Sequence, residues 1–136
     1  MIELTEAART TAGIVMLTLV AVESGGYFMT RVVTGRVSAT AFQTSFFRAG
    51  HAHAGVLVIL GLVCLLLTEA TTLDGVTRWL ARTGVLVAAI VMPAGFFFSA
   101  MGAGRTRPNR AVVLLPVGAL ALAAGVVTLA VGLLLA

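Results

Sequence analysis

Two histidines, two residues apart, are the side chains in this sequence with the most chemistry to offer. They stand in Phe46-Phe47-Arg48-Ala49-Gly50-His51-Ala52-His53-Ala54-Gly55, ahead of an apolar run from Val56 to Leu67. Imidazoles are costly inside a hydrocarbon layer and mark a functional site there by default. On an ideal helix, residues two apart point about 200° away from each other, so His51 and His53 cannot chelate one metal from one face. One is left for a cofactor or helix partner, and the other for a different neighbour. Glu23 interrupts an earlier apolar run, about 15 Å of helical rise from the end near Val33. An acid at that depth costs about 2.5–3.5 kcal/mol on insertion scales. It reads either as a proton-linked group beside a site or as a protonated acid bonded to a neighbouring helix.

Several chemistries lack their residues. The sequence has no nucleophile triad with good footing, no glycine-rich phosphate loop and no metal-spaced cysteine pair. Cys64 is alone in an apolar run and reads as a small core residue. Zinc wants about four tetrahedral ligands, and two opposed histidines with one acid supply that poorly within one chain. Haem asks for less: one axial imidazole in an apolar, aromatic pocket. Arg48 suits a propionate, Gly50 and Gly55 flatten the wall, and Phe97 within Phe96-Phe97-Phe98 can line a macrocycle. The expectation is therefore b-type haem, with His53 or His51 as ligand and Glu23 behind it. His53 is preferred because it lies deeper in the run. The competing reading gives both histidines to interhelical hydrogen bonds.

The elements that must position these groups are helices in a membrane. The chain has 136 residues, 60% hydrophobic and 10% charged, which suits one compact unit and is far too apolar for an ordinary soluble domain. Backbone groups in lipid must bond within their own segment, so runs of about 20 apolar residues are helices. They are expected near residues 7–33, 45–69, 79–103 and 110–135, making an all-α, integral membrane four-helix bundle. All nine basic residues are arginines. Arg31, Arg36 and Arg48 fall in the first loop, and Arg105, Arg107 and Arg110 in the third, with no acid in either. The positive-inside rule then makes loops 31–48 and 103–110 cytoplasmic in a bacterial plasma membrane, with both termini on the outer side. The net charge of +4 is thus a topology signal, and nucleic acid is excluded as a partner.

Local signals refine the outline. Thr5 is a candidate cap for the first helix, Thr44 or Ser45 for the second, and Asn109 for the fourth. Gly25 and Gly26 permit close approach of a helix or flat ligand. Gly50, Ala54 and Gly61 form a small-residue stripe that invites a neighbouring backbone, as do Gly84, Ala88, Gly95, Ser99 and Gly102. Pro93 is expected to kink the third helix. Ala111, Gly118, Gly125 and Gly132 repeat every seventh residue, the period of a close, left-handed helix contact. An offset of 69 residues aligns Glu23–Thr30 with Met92–Ser99, consistent with a parallel duplication of helices 1-2 and 3-4.

The pattern His51-x-His53 entering a glycine-rich apolar helix resembles histidine-bearing helices in subunit I of haem-copper oxidases and nitric oxide reductases. It also resembles small four-helix membrane proteins related to them. The resemblance covers about twenty residues. It implies an axial haem-ligand role for His51 or His53, and a chain equivalent to one four-helix arc of a three-arc subunit. It further implies a homo-oligomer, most simply a homotrimer, with a quinone or respiratory-chain partner. The chain has no further histidines for a copper site, so it is not expected to reduce oxygen on its own. Two other roles are open: a structural or assembly subunit, and a small transporter or proton path through Glu23 and a histidine.

Overall fold

The computed structural model describes residues 3–136 and contains four long helices and no strand among them. These are α1 (Glu6–Val33), α2 (Ala41–Thr68), α3 (Gly75–Ala100) and α4 (Leu114–Leu134), the last preceded by a 3-10 turn at Arg110–Val113. Each is long and apolar enough to cross a membrane. Thr5 caps α1 by accepting from the Ala8 N–H, as expected. Helix α2 begins earlier than expected because Thr40, not Thr44 or Ser45, is its cap. Thr40 and Gln43 form a reciprocal capping box. Helix α3 also starts earlier, at Gly75, and runs without interruption through Pro93.

Glycine decides how the helices meet. A Cβ on Gly84 would stand 2.7 Å from the Gly125 Cα, and one on Gly125 would stand 3.0 Å from the Gly84 Cα. The backbones of α3 and α4 therefore touch, and both glycines are buried. Gly118 receives Met92, and Gly132 receives Leu73, so the seven-residue period of α4 is its contact line with α3 and the loop before it. The α2–α3 seam repeats the device, with Gly61 under Leu86 and Gly50 under Phe96 and Phe97. In lipid, such seams gain from close dispersion contact rather than from escape from water. Helix α1 differs, since its backbone comes close to α2 alone.

Two polar clamps close the ends of the bundle. At the end with both interhelix arginine loops, Gln43 Nε2 donates to the carbonyls of Ala100 (2.9 Å) and Gly102 (2.8 Å), and Thr40 donates to that of Arg105. Asn109 donates to the Phe98 carbonyl at 2.8 Å and caps the turn before α4 by accepting from Ala111. These bonds stop α3 at Ala100, short of residue 103. At the other end the Glu69 side chain is only 2% exposed and pairs with Arg78 at 3.0 Å and with Arg82. It also accepts from the Thr5 backbone N–H, while Arg82 donates to the Thr5 hydroxyl, so the start of α1 is tied to α2 and α3. Burial pushes the Glu69 carboxyl up. Arg82, Thr5 and Arg78 outweigh it, and the group titrates below its ordinary value of 4.5.

Two consequences are measurable. Gly125→Leu should cost about 1–3 kcal/mol by overpacking the α3–α4 seam, read as a lower melting temperature, whereas Gly13→Ala, where a Cβ meets nothing within 4 Å, should not. A carboxylate with a lowered pKa contributes stability above its unfolded pKa and loses it as pH falls through the folded one. Melting temperature should therefore fall with acid below about pH 4.5, and Glu69→Gln should be less stable at neutral pH with a flatter acid limb.

Candidate functional site

Gly50 is where the expected site divides. Because Phe97 and Phe96 fill the space over it, the α2–α3 seam is closed there, and the two histidines emerge on opposite sides of that seam. His51 faces α1. Its Nδ1 lies 3.4 Å from where a Gly25 Cβ would stand, and its Cε1 and Nε2 lie 3.4 Å from where a Gly26 Cβ would. The glycine pair thus does what its residue type permits: it brings a neighbour close, and that neighbour is the imidazole. His51 heads a cleft of about 380 Å³ between α1, α2 and α3, lined by Ile14, Thr18, Ala21, Ala54, Ala89 and Phe97 among others. Phe97 also stacks on Phe47, with centroids 5.6 Å apart.

His53 lies on the far side, its ring 4.9 Å from that of Phe96 and tilted by 39°. Its Nδ1 is 2.8 Å from the Ala49 carbonyl oxygen one turn earlier. A carbonyl can only accept, so the proton is on Nδ1 and the neutral ring keeps a lone pair on Nε2. A shallow groove of Ala52, His53, Val56 and Leu57 surrounds it. This is the arrangement that a metal-binding imidazole needs, with one nitrogen anchored and the other free. At His51 the ring edge stands where side chains at positions 25 and 26 would crowd it, so its space depends on those two glycines.

The remaining expected residues divide between these two sides. Arg48 is exposed, one turn before His51 on the same stripe of α2, and forms no ion pair among the described residues. Gly55 is open, with nothing within 4 Å of a Cβ there. Glu23 is exposed, on the opposite face of α1 from Gly25, and makes no hydrogen bond among the described residues. The chain does not bring it to either histidine. Among the described residues, no three His, Cys, Asp or Glu side chains come together.

Sequence reasoning missed the cleft because its walls are largely alanines, isoleucines and valines, the same residues that stand exposed on the outer helix faces elsewhere. It also missed Gln43, whose role is written only in the capping-box spacing with Thr40. No protein-family model, curated protein or solved structure matches this chain.

The two glycines can be told apart. A Cβ on Gly50 would stand 2.9 Å from Phe97 and 3.0 Å from the Phe96 Cβ, so Gly50→Val should destabilise the fold by about 1–3 kcal/mol. Gly55→Ala should be neutral or gain about 0.5–1 kcal/mol from better helix propensity. Thermal melts of both variants check this.

Proposed function

We propose that the chain is a multi-pass membrane protein that holds b-type haem on His53, for electron transfer or for sensing a redox state or small ligand. The observation that carries this reading is the His53 imidazole, anchored through Nδ1–H to the Ala49 carbonyl with Nε2 free beside Phe96. Bound haem supplies a one-electron iron couple whose potential its axial ligand and surroundings set. The protein's part is to hold the ring. The Ala49 carbonyl fixes the tautomer and makes Nε2 more basic, while Phe96 restrains the imidazole from turning.

The bilayer reading rests on exposed apolar faces. Leu17, Ile90 and Leu120 are among many large side chains more than two-thirds exposed, which only lipid or another subunit covers without cost. Arg31, Arg36, Arg48, Arg105, Arg107 and Arg110 gather at or near one end, since the Thr40–Arg105 bond brings both interhelix arginine loops together. That end is cytoplasmic by the positive-inside rule, and both termini face outward. The groove at His53 is open on one side, so one chain covers a macrocycle incompletely. A homo-oligomer, three copies if the arc analogy holds, places a second surface over it.

The test is an absorption spectrum of the full chain purified after expression with haem supplied. Wild type and His51→Ala should both show a Soret band, and His53→Ala should lose it. A colourless wild type, or a band that depends on His51 alone, overturns the assignment.

A further inference from the structure

The cleft at His51 is a second site, on the other side of the α2–α3 seam from the groove at His53. It opens sideways. The α1 backbone lies close along α2 and stands off from α3, and Ile14 and Ile90, on either lip, are exposed. In a bilayer that mouth faces hydrocarbon, so what enters comes from the lipid phase. From Ile14 to Gly25 the α1 wall runs about 17 Å, roughly half the thickness of the apolar layer. At about 380 Å³ the cleft falls within the range of small-molecule pockets.

One group breaks the apolar lining. The His51 imidazole stands at the head of the cleft and makes no hydrogen bond among the described residues, while the other ring, His53, is bonded. The hydroxyl of Thr18 is already spent on the Val15 carbonyl at 2.6 Å. A neutral imidazole carries one N–H and one lone pair. In a bilayer no water reaches it, so the N–H is left to bond whatever acceptor enters the cleft. A ligand that accepts and brings no donor of its own leaves nothing else unsatisfied among these walls. The small side chains of Ala21, Ala54 and Ala89 and the Phe97 ring leave room for a flat body rather than a bulky one.

We infer that this cleft binds a lipid-soluble carbonyl compound, one or two fused rings in size, whose oxygen accepts a hydrogen bond from His51. The site needs no haem, so its fate is independent of the role given to His53.

The experiment uses the full chain in lipid nanodiscs and the fluorescent naphthyl ketone Prodan, whose emission reports on its surroundings and on hydrogen bonding to its carbonyl. Empty nanodiscs set the baseline. Wild type should add a saturable component, and Ala54→Phe, which fills the cleft, should remove it. His51→Leu should weaken it roughly tenfold, the equivalent of one hydrogen bond. Leu120→Phe, on an exposed face of α4 away from both sites, should bind as wild type and controls for folding. Unsaturable binding, or binding that survives Ala54→Phe, overturns the proposal. Equal affinity in His51→Leu overturns it too, by showing a cavity that takes any apolar chain.

Discussion

The backbone contact between Gly84 and Gly125 is the constraint on which the rest of this bundle depends. Helices that share a lipid environment gain little from hiding apolar surface, because the surface they leave is apolar too. What holds them is the number of atoms brought to contact distance, and that number rises steeply when two backbones touch. The α3–α4 seam achieves this with Gly84, Gly118 and Gly125, and the α2–α3 seam follows with Gly50 and Gly61. Helix α3 is therefore the spine, with Val85 and Ala88 wholly buried along it.

Helix α1 stands outside that arrangement. It is tied at one end by Thr5, Glu69 and Arg82, and at the other by Phe28 against Phe47 with centroids 5.3 Å apart. Between these ties its backbone runs close to α2 and stands off from α3. The cleft follows from this: two fixed ends and a middle held by small residues leave a gap that a tight helix trio would not have. In the Glu69 cluster one buried carboxylate pairs with two arginines and accepts a backbone N–H where three helices begin or end.

The histidines show how one closed seam makes two environments. The spacing of His51 and His53 turns them apart, and Phe96 and Phe97 over Gly50 fill the space between. His53 then meets the Phe96 ring, and each imidazole meets a different kind of opening. His53 is fixed by its own helix and looks outward over a shallow groove. His51 lies against α1 and heads a larger apolar cleft that opens sideways.

The sequence by itself determined the four helices, the shared end of the two interhelix arginine loops, the cap at Thr5 and the opposed directions of the histidines. All of these follow from local rules: run length, charge placement, hydrogen-bonding residue types and a rotation of about 100° per residue. The heptad of α4 was legible as a contact line, because a fixed period keeps one face toward one partner. Only the tertiary structure decided which partner that was, and that Gly50 is packing while Gly25 and Gly26 serve His51. Those outcomes depend on which helices neighbour one another, and apolar residues look alike whether they meet lipid, a helix or a cavity. The placement of Glu23 shows the same limit. Its depth was readable from the chain, but the direction it faces depends on how α1 is turned about its own axis against α2.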